Sequence, residues 1–340
     1  MTTKMLEETL QTSTVLKKQW SENTQKLEEI TSILRKINPY CFITFARGSS
    51  DHAAAYFNYI ASLELKKLST SLTPSLVSVH DLNLDFSRAL GVGISQSGKG
   101  PDILSLIKKV NSQKSLTLAL VNNVDSPLAN EAKLVYPLWA GKEISVAATK
   151  SFIASIYAAA SIIAKINENK KLLEAIEKSP DFLPKELDSH WDNIINILKD
   201  SERTMIVGRG LGYAIAHEAA LKLKETCHIQ AESISSAEIK HGPQAVVGHN
   251  YPLIIFALRG VEQESLIELG LEMRKRGANV CIICDKLISE KDCLYTPSTH
   301  TYLDPMNLIY SFYLMVQKLA LVKGLDPDNP RFLSKVTMTT

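Results

Sequence analysis

The chain has 340 residues, 45% of them hydrophobic and 22% charged, with 38 lysines and arginines against 36 aspartates and glutamates. That is a globular composition with room for two ordinary domains, and it excludes a disordered chain. A formal net charge of +2 is too small for a nucleic-acid surface, so no nucleic-acid partner is expected.

Residues 1–37 read as a separate N-terminal helix that ends before Pro39, with no apolar signal core. The first domain is expected over 38–165, with strands at 41–46, 75–79, 90–95, 116–121 and 134–138. The longest run of apolar or small residues, 152–164, is too short for a bilayer, which takes about 20 residues, so no membrane partner is expected. Residues 166–200 are charged and helical, broken by Pro180 and Pro184, and read as a connector. The second domain, 201–325, carries strand candidates at 204–208, 253–258, 279–284 and 300–303. Its long helices are expected at 263–276 and 306–323, the latter stopped by Gly324. Residues 326–340 read as an extended C-terminal tail.

Strands alternating with helices give an α/β fold with mostly parallel sheets. The two halves also repeat one pattern. A strand ending Ala46-Arg47-Gly48 leads into a helix, and so does one ending Gly208-Arg209-Gly210. Two similar domains are therefore expected rather than one large sheet. The five cysteines, Cys41, Cys227, Cys281, Cys284 and Cys293, are odd in number and follow no secretory signal. They read as reduced thiols in the cytoplasm. Cys281 and Cys284 form a CxxC inside an apolar strand, without the second pair that a zinc site needs.

Three clusters carry possible chemistry. Ser95-Gln96-Ser97-Gly98 follows a strand and precedes a helix that begins at Pro101. Backbone N–H groups, a helix dipole and serine hydroxyls there suit a compact phosphate monoester. Ser49 and Ser50, at the end of the first strand, are placed to join it. An ordinary polar turn with capping serines fits the same residues. On the helix 211–228, Lys222 falls within an apolar stripe, with Glu225 three residues on and Glu218 four residues back. A structural ion pair is the commoner meaning of that spacing, and proton transfer is the functional one. In Ser235-Ser-Ala-Glu238-Ile-Lys-His241-Gly242-Pro243, a capping box between Ser235 and Glu238 would end a short helix at His241. A histidine on such a turn serves equally as a solvated side chain or a catalyst.

Taken together, these clusters resemble the double SIS (sugar isomerase) domain proteins from about residue 40 to the end. The motifs are Ser95-Gln-Ser-Gly98, Ala140-Gly-Lys-Glu143-Ile-Ser-Val146-Ala-Ala-Thr-Lys150, Gly208-Arg-Gly210, Glu218-Ala-Ala-Leu-Lys222-Leu-Lys-Glu225, Glu238-Ile-Lys-His241-Gly-Pro243 and Asn329-Pro-Arg-Phe-Leu-Ser-Lys335. The chain looks like the isomerase half of glucosamine-6-phosphate synthase, and closer still to stand-alone SIS-type glucosamine-6-phosphate deaminases. The resemblance implies that Ser50, Ser95, Gln96 and Ser97 hold the sugar phosphate, supported by the Gly48 turn and Ser49. It implies that Glu143 and Val146 line the sugar and that Glu225, assisted by Lys222, moves the proton between C1 and C2. His241 would open the pyranose ring from the neighbouring subunit of a homodimer, and Lys335 would cover the sugar and meet a ketose carbonyl as a Schiff base. No cofactor and no metal are implied.

Three positions depart from the family pattern. Arg47 stands where the synthase has a cysteine, Gly100 where relatives often carry a phosphate-binding Thr or Ser, and Ala148 where the synthase has a serine. Fewer than 40 residues precede the SIS unit, and the first cysteine is Cys41. A glutaminase domain is not expected, which favours conversion of a hexosamine-6-phosphate, glucosamine-6-phosphate above all, to fructose-6-phosphate and ammonia. Competing readings are a deglycase or a deaminase for a related phosphorylated amino sugar, a non-catalytic sugar-phosphate sensor, and a subunit paired with a separate glutaminase.

Overall fold

The computed structural model describes residues 2–335. The chain forms two compact units, one built from residues 11–143 and 150–180 with 334–335, the other from 2–10, 144–149 and 181–333. In chain order, α1 (Lys4–Leu10) belongs to the second unit and α2 (Thr12–Ile37) opens the first. The first unit continues with β1 (Cys41–Phe45), α3 (Ser49–Leu65), β2 (Leu68–Ser71), α4 (Ser75–Ser78), β3 (Ala89–Ser95) and α5 (Pro101–Ser112). It closes with β4 (Leu116–Val121), α6 (Pro127–Glu131), β5 (Leu134–Pro137), α7 (Lys150–Ile166) and α8 (Lys170–Lys178). The second unit holds α9 (Asp192–Leu198), β6 (Arg203–Gly208), α10 (Leu211–Cys227), β7 (Gln230–Ser235) and β8 (Pro252–Phe256). It ends with α11 (Gln263–Lys275), β9 (Asn279–Cys284), β10 (Cys293–Leu294) and α12 (Asp304–Val322).

Each unit carries a five-stranded sheet, ordered β2-β1-β3-β4-β5 in one and β10-β9-β8-β6-β7 in the other. Every recorded strand pair is parallel. Taken in chain order, the two sheets have the same topology, as the sequence repeat implies. The turn after the first strand of each unit repeats too: Gly48 has φ 54°, ψ −135° and Gly210 has φ 55°, ψ −131°. That left-handed backbone is strained for a residue with a side chain, so glycine stands at both places.

The apolar run at 152–164 is the middle of α7, buried from Lys150 through Ala164. A helix apolar on all sides belongs inside a core, and α7 packs there against α2 and α3. Cys281 and Cys284 are buried within β9.

Several elements differ from the sequence reading. Residues 75–79 are not a strand. Pro74 starts the short helix α4, and the strand is the mostly exposed β2, whose Leu-Ser-Thr-Ser offers no apolar signal. Residues 300–303 form a 3-10 turn, Thr301–Leu303, and the fifth strand of that sheet is only Cys293–Leu294. Strand β7 lies at a sheet edge and its polar half hid it from a search for apolar runs.

Strand β6 and helix α10 approach closely at Gly208. A Cβ there would meet the carbonyl oxygen of Gly212 at 2.5 Å and the Cα of Tyr213 at 2.9 Å. Backbone cannot move aside as a flexible side chain can. Gly208→Ala should therefore cost about 1–3 kcal/mol of stability in a urea titration, the usual range for overpacking. Gly248→Ala, where nothing lies within 4 Å, should stay within about 0.5 kcal/mol of wild type. Equal stability of the two variants would mean that this strand–helix contact relaxes freely.

Candidate functional site

In open parallel sheets, ligands bind beyond the carboxyl ends of the strands, where the strand order reverses. In the first unit that point lies between β1 and β3. The turn Arg47–Ser50 follows β1, and the loop Gln96–Gly100 follows β3. Helices of 17 and 12 residues begin there, at Ser49 and Pro101. Their first N–H groups and dipoles favour an anion. Ser49, Ser50, Ser95, Gln96 and Ser97 are half-buried and Gly48 is exposed.

The loop is held by its own hydroxyls. The Gly98 N–H donates to Ser95 Oγ at 3.0 Å and the Lys99 N–H to Ser97 Oγ at 3.4 Å. Gly98 has φ 63°, and a Cβ there would strike Ser126 Oγ at 2.1 Å. The loop therefore lies flat against the start of α6, where the Leu128 N–H donates to the Gly98 carbonyl at 3.1 Å. In these contacts both serine oxygens act as acceptors, which leaves each O–H available to donate to an anion.

Also in the first unit, the fully buried Glu143 carboxylate accepts Lys335 Nζ at 2.9 Å. Ser151, in the first turn of α7, donates its N–H and hydroxyl to the same carboxylate at 3.1 and 2.6 Å. Glu143, expected to line the sugar, and Lys335, expected to cover it, are thus brought together. Val146, on the segment 144–149, belongs to the second unit, where its N–H donates to the Asp328 carbonyl at 3.4 Å. The neighbouring N–H groups of Ile144 and Ser145 donate to Glu8 of α1.

The second unit holds the proton-transfer candidates on α10. Lys222 has a side chain with no exposed surface, and its Nζ lies 2.5 Å from Glu225 and 3.4 Å from Glu218. Burial alone would push this ammonium down. The Glu218 and Glu225 carboxylates outweigh that and hold it above the ordinary lysine value. Glu218 is fully buried and also accepts the Tyr313 hydroxyl at 3.0 Å. Glu225 alone of the three reaches solvent, with 18% of its side chain exposed. It borders an open cavity of about 570 Å3 with Leu221, His228, Ile229, Arg331 and Phe332.

His241 ends a 3-10 turn, Glu238–His241, against Gly242 at φ 133°. It is exposed, and its side chain takes no hydrogen-bond partner among the described residues. The capping box does not form, because Ser235 is the last residue of β7 and its Oγ instead accepts the Ala237 N–H at 3.4 Å. The ion pair of Lys222 with Glu218 was readable from sequence, whereas Tyr313 as the donor to Glu218 was not. Glu218 was visible at helical spacing, whereas Tyr313 comes from α12, far along the chain, with no local signal.

Residues 41–165 and 197–321 both match the SIS domain family model. The chain belongs to the SIS domain family. It is 30% identical over 326 residues to the glutamine–fructose-6-phosphate aminotransferase (isomerizing) of Methanothermobacter thermautotrophicus, over 93% of this chain and 54% of that protein. It thus spans about half the length of that relative, and is homologous to its isomerase half. The C-terminal domain of the glucosamine-fructose-6-phosphate aminotransferase of Francisella tularensis superposes with a TM-score of 0.87 at 25% identity, covering 97% of this SIS chain and 98% of that one. A Silicibacter pomeroyi DSS-3 protein assigned as a phosphosugar isomerase superposes at 0.90 with 34% identity, over 96% of this chain and all of that one.

The Lys222 cluster is sensitive to removal of one charge only. Lys222→Met would leave Glu218 buried without its cation, at a cost of about 3–5 kcal/mol in urea denaturation. Adding Glu218→Gln should recover much of that loss; no recovery would locate the cost in packing instead. The ammonium's share of stability should be complete below its ordinary value near pH 10.5 and fall away as pH rises through the higher folded-state value.

Proposed function

We propose that the protein is an aldose–ketose isomerase of amino sugar phosphates that releases ammonia: glucosamine-6-phosphate and water give fructose-6-phosphate and ammonia. The observation that carries this reading is the Lys222–Glu225 pair, an immobilised ammonium under a carboxylate that opens to a cavity. The homology to an aminotransferase that handles fructose-6-phosphate supports the choice of sugar.

In this reading the β3–α5 loop with Ser50 holds the phosphate, and Glu143 and Val146 line the sugar. His241, supplied by a second copy of the chain in a homodimer, opens the pyranose ring. Glu225 then takes the proton from C2, and the C2–H electrons form the C1–C2 double bond of an enolamine while the C1 carbonyl electrons move to O1, which takes a proton from solvent. Returning that proton to C1, with loss of an N–H proton to solvent, leaves a ketimine at C2. Water adds to the ketimine carbon and ammonia leaves. Lys335 exchanges its partner Glu143 for the ketose carbonyl. The chemistry needs no cofactor, and a cytoplasmic setting belongs to the same reading. Among the described residues no helix is long and apolar enough to cross a membrane.

Ammonia and fructose-6-phosphate should appear in equal amounts from glucosamine-6-phosphate. A panel including galactosamine-6-phosphate and phosphorylated fructosamines would show whether a relative of that sugar is preferred. Glutamine has the shape of Glu225 without its basic oxygen, so Glu225→Gln should keep its fold while kcat falls about 10²–10⁴-fold. Ser97→Ala should lower kcat/KM for the phosphorylated sugar about ten- to a hundredfold and leave unphosphorylated glucosamine unaffected. Mixing inactive Glu225→Gln and His241→Ala chains should restore activity in exchanged dimers. No recovery after demonstrated exchange would mean that each site is built from one chain.

A further inference from the structure

We propose that Arg47 is a ligand for the substrate's anionic group, a guanidinium fork mounted on Asp102 at the mouth of the β3–α5 loop. The proposal rests on the reading of that loop as the phosphate cradle. Phe45 of β1 is in register with Gly93 of β3. Arg47 follows that pair by two residues along the chain after β1, and Ser95 by two residues at the end of β3. Arg47 Nε donates to Asp102 Oδ2 at 2.7 Å, and Asp102 sits in the first turn of α5, just after the loop. The arginine therefore reaches from the end of β1 to the helix start that frames the cradle.

The exposures of the two partners differ sharply. The Asp102 side chain is fully buried, whereas 47% of the Arg47 side chain is exposed. Only the Nε of Arg47 is engaged, and its two terminal nitrogens take no hydrogen-bond partner among the described residues. A guanidinium held by one corner presents its remaining N–H groups in a fixed plane, the geometry that suits two oxygens of a phosphate. Asp102 by itself would oppose an anion, since it lays a negative charge on the positive end of α5 and already takes the Ile103 N–H at 2.8 Å. Arg47 cancels that charge. Gly100 belongs to the same arrangement. A Cβ at that position would lie 3.3 Å from Asp102 Oδ1, so a side chain there would crowd the carboxylate that holds the arginine. The glycine at 100 and the cation at 47 are two halves of one solution.

A purely structural alternative is that Arg47 only neutralises a buried carboxylate. Binding of inorganic phosphate to the full chain, followed by calorimetry or by broadening of its ³¹P signal, separates the two. Arg47→Ala should weaken phosphate binding about ten- to a hundredfold. Arg47→Lys, which keeps the charge but not the fork, should fall between. The double variant Arg47→Ala/Asp102→Asn has no buried charge left unpaired and should fold as wild type, recovering only the part of the loss due to the uncancelled Asp102 charge and still binding phosphate well below wild type. Wild-type affinity in the double variant would overturn the proposal, because it would show that Arg47 serves Asp102 alone. If Ser97→Ala weakens phosphate binding while the double variant does not, the cradle stands and the arginine assignment fails. If neither change matters, or wild type binds no phosphate, both readings fall together.

Discussion

One ammonium group with no exposed surface constrains the second unit of this molecule. Lys222 lies inside α10, where an isolated charge would be expelled or neutralised, and it persists because Glu218 and Glu225 flank it at 3.4 and 2.5 Å. The arrangement is asymmetric. Glu218 is sealed in and tied to Tyr313, while Glu225 opens to a cavity. One carboxylate is sealed in beside the cation and the other faces the cavity. The position of Glu225 thus follows from electrostatics on one helix, and the helix is fixed in turn by the close approach of Gly208 to Gly212.

The repeated fold explains where chemistry is available, and its divergence explains how it was divided. Both units turn through the same glycine conformation after their first strand and open the same crevice at the carboxyl edge of the sheet. In the first unit that crevice carries serines, two helix N-termini and Arg47, all suited to an anion. In the second unit, Glu262 stands over Gly210, its Oε1 3.0 Å from where a Cβ would be. A carboxylate there repels an anion, and the neighbouring Arg259 is already bonded to Asp304 and the Ser298 carbonyl. The second unit instead uses the helix after the same glycine turn to hold the Lys222 cluster. In the proposed function the crevice of the first unit takes the anion and the helix of the second carries the proton chemistry.

Much of this was legible in the sequence because it is local. The serine loop, the two Arg-Gly turns and the spacing of Glu218, Lys222 and Glu225 all lie within single segments. The edge strands β2, β7 and β10 were missed because edge strands are short or partly polar, so apolar runs do not mark them. The strand expected at 75–79 became a helix because Pro74 pre-sets the backbone for a helical first turn. What could not be read was any pairing across distant segments. Tyr313 on Glu218, Lys335 on Glu143 and Asp102 under Arg47 are set by the tertiary fold. Arg47 showed in the sequence only as a departure, and its meaning needed the carboxylate that holds it.

The most direct measurement is the fate of the C2 hydrogen. Glucosamine-6-phosphate carrying deuterium at C2 should lose it from C2 during turnover by the wild-type protein, part to solvent water through exchange on the base and part to C1 of the fructose-6-phosphate. That loss should disappear in Glu225→Gln, whose fold is checked separately. Ammonia release by the wild-type protein with the deuterium still on C2 would contradict proton abstraction there, and loss from C2 at a near wild-type rate in Glu225→Gln would show that another group is the base.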